Sequence, residues 1–190
     1  MHDITDLPAW ERLFKKIVWK QLGDMEGKKI LDFGSGEGIT ANHFAEKNDV
    51  TAIEPSKEML SNAWKDYEYT QIVGDVNALS AFKNETFDMI ICHNVLEYID
   101  DKAAVVKALA RVLKDGVSYV LVFKLSRFGR NAADVLATLQ VMQDFGVNLI
   151  CVEDGIDSSK DAGKLMISVL SAVAEIEREN IRVQIMEGRM

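Results

Sequence analysis

ILDFGSGEG, residues 30–38, is an apolar run that ends in three alternating glycines and leads into a helical pattern. Glycines at a strand-to-helix junction let backbone approach a ligand closely, because no Cβ stands in the way. The spacing of Gly34, Gly36 and Gly38 is G-x-G-x-G, not the G-x-G-x-x-G of the dinucleotide fingerprint. Outward from this stretch the chain alternates strands and helices. The strand-like runs are KKILDFGS (28–35), DVTAIEP (49–55, stopped by Pro55), YTQIVGD (69–75), FDMIICHN (87–94), VSYVLVFKLS (117–126) and VNLICVED (147–154). Runs that are apolar without alternation predict a parallel sheet covered on both faces. Helical stretches lie between them, at 38–47, 56–66, 101–114 and 131–145, with Ser56 and Asn131 as N-caps.

Four successive strand ends converge on one crevice in such a sheet. The first carries Asp32 and the glycines. The second carries Glu54, an acid able to accept hydrogens from both hydroxyls of a ribose. The third carries Asp75 and Val76 in GDVNAL, and the fourth carries CHNVLEYI, residues 92–99.

The chain has 190 residues, 48% apolar and 27% charged, and no apolar run approaches the roughly 20 residues of a membrane span. The first residues, MHDITDLPAWERLFKK, are acidic and lack the apolar centre of an export signal, so a cytoplasmic protein is expected. Net charge is −8; residues 1–123 hold 14 basic and 20 acidic side chains, and residues 124–190 hold 8 and 10. A nucleic-acid partner, which would need clustered Lys and Arg, is not expected. Cys92 and Cys151 sit in apolar runs and read as buried thiols, not as a disulfide or a metal pair; no metal is expected.

Two further segments frame the crevice. LPAWERLFKKIVWKQL (7–22) puts Trp10, Leu13, Phe14, Ile17 and Val18 on one broad face, suited to a lid or to packing on the sheet. Residues 161–187 read as one helix, roughly 40 Å long at 1.5 Å per residue. That exceeds the roughly 20 Å covered by a six-residue strand, so its second half projects or meets another subunit, and a homodimer through 161–187 is expected.

LDFGSGEG, AIEPS, VGDVNAL and HNVLEYI, in that order, resemble the motifs of the class I S-adenosylmethionine-dependent methyltransferases over about residues 25–122. The resemblance implies that S-adenosylmethionine is the cofactor. Asp32, Gly34 and Gly36 would lie at its methionine part, with Gly38 also cofactor-binding, Glu54 at the ribose, Asp75 and Val76 at the adenine, and His93 or Asn94 near the sulfonium. The chemistry implied is methyl transfer to a small-molecule acceptor. His93, Glu97 and Tyr98 are the catalytic candidates if the acceptor must lose a proton, although VLEYID could equally be a packing turn.

From about residue 118 to 190 the chain resembles a different family, the catalytic domain of serine recombinases (resolvases and invertases). KLSRFGR (124–130) resembles the strand end that supplies two arginines, here Arg127 and Arg130. The strand that would carry that family's nucleophilic serine is replaced by methyltransferase-like sequence, Ser126 matches a variable place, and no DNA-binding region follows. Recombinase activity is therefore not expected. Both families are α/β with parallel sheets, so one strand can serve both halves. The expected fold is a single fused α/β domain over 1–190, with a methyltransferase-like part at 1–120 and a recombinase-like part at 121–190. Its three layers would hold a doubly wound, Rossmann-like sheet of order 3-2-1-4-5-6, all parallel, without an antiparallel edge. The crevice lies wholly in the first part, so cofactor binding should survive the join. The alternative is an inactive chimeric scaffold that dimerises through its last helix.

Overall fold

β1 (Lys29–Phe33) and β2 (Asp49–Glu54) run parallel, with Lys29 beside Asp49 and Phe33 beside Ile53. After its first residue each is buried throughout, which is why both read as unbroken apolar runs. β3 (Thr70–Val73) adds parallel to β2, and β4 (Met89–Ile91) adds parallel to the other side of β1. The order β3-β2-β1-β4 is the one expected. The structure, a computed structural model, describes residues 2–93, 95–114, 118–122, 132–151, 155–161, 163, 165–169, 172–173 and 176. It divides into two compact units, residues 1–93 with 111–115 and residues 94–110 with 116–190.

In the first unit Ile30, Ala41, Phe44, Val50, Ala52 and Ile91 form a core. Each large aliphatic side chain fully buried there stabilises the fold by roughly 1.5–3 kcal/mol. Two helices frame it, α1 (Ala9–Leu22) and α2 (Ile39–Ala45). Trp19 and Leu22 of α1 pack against the core. Of the face of α1 expected to turn inward, Phe14, Ile17 and Val18 are covered and two residues are not. Val18 is buried, but Trp10 and Leu13 are 71% and 61% exposed. Beside the buried Val18, residues Glu11, Arg12, Phe14, Lys15, Ile17, Trp19 and Leu22 are partly covered. Once Val18 and Leu22 are anchored, the 3.6-residue period carries position 15 inward and positions 10 and 13 outward.

A helix over 56–66 was expected, yet α3 is only Lys57–Ser61. Ser56 caps it as anticipated, its hydroxyl accepting from Met59 N at 3.3 Å. The helix stops because other acceptors take the following amides. Asn42 Oδ1, on α2, accepts from Asp66 N (2.8 Å) and Tyr67 N (3.1 Å), and Trp64 N donates to Glu37 O at 2.9 Å. Farther along, the Arg111 guanidinium donates to Leu79 O (2.7 Å) and Phe82 O (2.9 Å), fixing the turn of residues 76–81 that follows β3.

The second unit contains α4 (Lys102–Val112) up to residue 110, β5 (Ser118–Val122), α5 (Ala132–Asp144) and β6 (Val147–Cys151). β5 and β6 are parallel neighbours, as expected, with Ser118 beside Val147 and Val122 beside Cys151. α5 buries Val135, Thr138, Leu139 and Met142, one helical face. The expectation that no antiparallel edge exists needs correction. β6 ends at Cys151, a glycine at 155 with φ 65° turns the chain, and β7 (Ile156–Asp157) pairs antiparallel to β6. Ser158 Oγ closes that edge by accepting from Leu149 N at 2.7 Å. The pairings described thus form a sheet β3-β2-β1-β4 and a sheet β5-β6-β7.

Every described residue from Asp161 to Ile176 is helical; the remainder of the expected helix to 187, and Asn131, lie outside the described residues. Gly163 is required where it stands, since a Cβ there would run into Asp157 O. No helix among the described residues is long and apolar enough to cross a membrane.

Candidate functional site

The glycine loop leaves β1 tied by hydrogen bonds to the end of β2. Gly34 N and Ser35 N both donate to Ile53 O, at 2.8 and 3.2 Å. Gly34, Gly36 and Gly38 all have positive φ (77°, 57° and 66°), the region where only glycine sits without cost. Gly38 has a second reason, because a Cβ there would collide with the Tyr69 hydroxyl. At Gly36 a Cβ would meet nothing nearer than Met59 Sδ at 4.0 Å, so the space beside it is open.

Glu54, buried at the end of β2, holds this loop. Its Oε2 accepts from Gly36 N and its Oε1 from Ser56 N, both at 2.9 Å. Asp75 follows β3, is exposed, and accepts from Asn77 N at 2.9 Å; Val76 beside it is half-buried. His93 lies two residues past β4, its ring 4.9 Å from that of Phe14.

Three side-chain atoms around the ends of β1 and β4 are buried without a hydrogen-bond partner: Asp32 Oδ2, Ser35 Oγ and His93 Nε2. Buried polar atoms are rarely left so, because each forfeits its bonds to water. The electrostatics are those of a dry, charged place. Burial raises the Asp32 carboxyl to about 6, with Lys15 opposing the rise. Burial lowers the Lys15 ammonium, with Asp32 opposing. Burial, then the Lys15 charge, drives His93 down to about 4, so its imidazole is neutral at pH 7. Burial, then Asp32, pushes the Cys92 thiol up to about 12, which makes it no nucleophile. Cation-accepting Asp32, a hydroxyl and a neutral imidazole beside an open glycine loop fit a ligand that carries positive charge and an amino-acid head. S-adenosylmethionine has both.

The structure therefore brings together Asp32, Gly34, Gly36, Gly38 and Glu54, with Asp75, Val76 and His93 following the neighbouring strands of the same unit. Asn94 lies outside the described residues, as does the Glu97 side chain. Tyr98 belongs to the second unit and is 79% exposed. Lys15, Ser35, Thr40 and Tyr69 were not anticipated. Ser35 could have been read from its place between two glycines; Lys15 carried no signal separating it from Lys16. Among the described residues no group of three or more His, Cys, Asp or Glu side chains could hold a metal ion.

Comparison with known proteins divides the chain in the same way. Residues 31–121 match the methyltransferase domain family, and residues 97–190 match the N-terminal domain of resolvases. The chain thus joins an N-terminal part that matches methyltransferase domains to a C-terminal part that matches resolvase N-terminal domains, the make-up of a chimera. The two segments overlap at 97–121, around the place where the sequence changes character. A ubiquinone biosynthesis O-methyltransferase of Alkalilimnicola ehrlichii is 35% identical over 135 residues, 67% of this chain and 51% of the relative. A resolvase/recombinase of Pseudomonas putida is 41% identical over 71 residues, 37% of this chain and 39% of the relative. The chimera thus spans about half or less of these relatives. A crystal structure from Anabaena variabilis, assigned as a methyltransferase from an antibiotic biosynthesis pathway, superposes with a TM-score of 0.52. It is 22% identical, over 65% of this chain and 49% of that one, and shows the Rossmann-like methyltransferase fold. All the crevice residues described above fall within or beside the methyltransferase segment. Arg127, Arg130 and Ser126 of the resolvase segment lie outside the described residues.

Proposed function

We propose that the methyltransferase segment binds S-adenosylmethionine over its glycine loop and passes the methyl group to a small-molecule acceptor. The observation that carries this reading is the trio of buried, unpartnered atoms on Asp32, Ser35 and His93, in a segment that matches the methyltransferase domain. When bound, the cofactor supplies an electrophilic methyl on a sulfonium. The protein's part is positioning, where effective molarity provides most of the gain. Glu54 is assigned to the ribose, Asp75 and Val76 to the adenine, and Asp32 to the methionine part. His93, neutral and with a free Nε2, can accept a hydrogen bond from an acceptor hydroxyl. Its low basicity makes it an orienting group more than a strong base. Because the curated methyltransferase relatives are O-methyltransferases, hydroxylated acceptors are the first to screen.

Calorimetric titration with S-adenosylmethionine and S-adenosylhomocysteine tests the reading. Micromolar binding is expected, weakened about tenfold by Asp75→Ala through loss of a hydrogen bond to a charged group. No heat of binding to the folded protein would overturn it.

A second reading, a scaffold that pairs through its last helix, is favoured by one observation. Leu165, Met166, Val169, Val173 and Ile176 are all exposed on helical residues, and positions 166, 169, 173 and 176 follow the 3-4-3 spacing of a helix-pairing seam. This reading expects a homodimer by analytical ultracentrifugation, converted to monomer by Val169→Lys with Val173→Lys. A wild-type monomer at high micromolar concentration would sink it.

A further inference from the structure

Along its length the segment 2–22 is tied to α2 and to the residues that α2 holds. The Trp19 ring stacks on His43 with centroids 3.7 Å apart, and Lys15 Nζ donates to Thr40 Oγ1 at 3.1 Å. At the far end, His2 N donates to Asp66 Oδ1 and Oδ2 at 2.9 and 3.0 Å, and His2 Nδ1 lies 3.1 Å from Oδ2. The His2 ring also stacks on Trp64, with centroids 5.0 Å apart. Residues 3–7 join this end to α1 through a braced turn. Asp3 Oδ1 accepts from Thr5 N at 2.8 Å, and Asp6 Oδ2 accepts from Asp3 N at 3.1 Å.

The residues that receive His2 are joined on their other side to the glycine loop. Trp64 N donates to Glu37 O at 2.9 Å. Tyr69, whose hydroxyl fills the space beside Gly38, donates to Trp64 O at 2.7 Å. Asp66 N and Tyr67 N are fixed on Asn42 of α2. Residues 62–67 therefore meet His2 on one side and Glu37 on the other. The His2 side chain is 49% exposed and that of Asp66 10%. A contact that rests on an exposed side chain at the edge of a unit opens at a lower free energy than the core does.

We propose that residues 2–7 are a clasp whose seating on residues 62–67 is coupled to occupancy of the glycine loop. Bound ligand holds the clasp shut, and opening the clasp loosens the ligand. The proposal rests on the S-adenosylmethionine reading and adds a regulation of that site. Its route runs from His2 to Asp66 and Trp64, and from Trp64 to Glu37 in the glycine loop. A loop ordered by ligand keeps Glu37 O where Trp64 N needs it, which in turn keeps the seat for His2. The coupling is reciprocal: the factor that ligand adds to clasp closure equals the factor that closure adds to ligand affinity.

Hydrogen exchange read by mass spectrometry, with and without saturating S-adenosylhomocysteine, reports on both sides of the clasp. In the wild type the ligand should slow exchange of the amides of residues 5–7, Asp66 and Tyr67 about 10-fold. His2→Ala keeps the backbone bond but removes the ring from Asp66 and Trp64, and should speed ligand-free exchange at the same amides about 10-fold. The double variant His2→Ala with Asp66→Asn leaves the clasp open. It should bind S-adenosylhomocysteine more weakly by the same factor, about 10-fold, with the loss in faster release. Exchange within β1 and β2 should stay as in the wild type, which separates an opened clasp from a destabilised fold. Wild-type exchange at residues 5–7 that ignores the ligand would overturn the coupling and leave the cofactor reading in place. So would a double variant that binds as the wild type does. A wild type that gives no heat with S-adenosylhomocysteine would remove the cofactor reading and the coupling with it.

Discussion

Asp32→Asn should make the unliganded protein more stable at pH 7 and, in the same step, weaken its binding of a cationic ligand about 100-fold or more. The Asp32 carboxyl is held up at about 6 by burial, against an ordinary 3.8. A carboxyl whose folded pKa lies above its unfolded value binds its proton more tightly when folded. It favours the fold in acid, and that contribution is lost as pH rises through the window between 3.8 and about 6. By pH 7 the ionised carboxylate costs about 3 kcal/mol. Asparagine keeps the shape and removes the charge, so most of this cost disappears. Urea denaturation at pH 4.5 and pH 7.5 reads the effect. The wild type should lose stability between the two, and the variant should lose much less. The same substitution removes the anion that a ligand's ammonium would meet, and breaking such a buried charge pair costs about 100-fold or more in affinity. Wild-type stability that changes no more than the variant's across this range would show that Asp32 carries no buried charge, and the site would lose its central pole. A stability cost retained in the fold is what a binding site looks like before its ligand arrives.

The elements around the glycine loop were legible because their signals are local. β1 and β2 read as unbroken apolar runs since both faces are covered, and Ser56 capped α3 as its residue type dictates. What failed was decided by partners distant in sequence. The length of α3 was set by Asn42 and Glu37, which take the amides of Asp66, Tyr67 and Trp64. The covered side of α1 was legible in part, since apolarity pointed to Phe14, Ile17 and Val18, which are covered, but also to Trp10 and Leu13, which are exposed. Once Val18 and Leu22 anchor the helix, Lys15 must enter the site, and no composition rule separates it from its neighbour Lys16. β7 was missed because a two-residue strand has no periodicity to read; Gly155 signalled a turn but not the pairing. Asp32, Glu54 and the glycines were found from spacing, whereas the electrostatic coupling of Asp32 to Lys15 needs coordinates.

Glu54→Gln should weaken ligand binding about 100-fold and lower stability by about 2–3 kcal/mol, more than the usual effect of an isosteric change. The carboxylate accepts one backbone N–H on each oxygen, from Gly36 and from Ser56. Glutamine can accept only one of these; its NH2 would confront the other N–H. Glu54→Ala would leave both amides without an acceptor, and should be the more damaging. The loop's geometry and the ligand contact are then confounded, since a carboxylate oxygen that already accepts from Gly36 N has a second lone pair for a ribose hydroxyl. The two can be separated by the ligand. Adenosine-containing ligands and their 2′,3′-dideoxy analogues should differ in affinity for the wild type and converge for Glu54→Gln if Glu54 meets the ribose. An unchanged ratio in the variant would mean that Glu54 only braces the glycine loop, and the acid at the end of β2 would be a structural buttress for the site with no contact to its ligand.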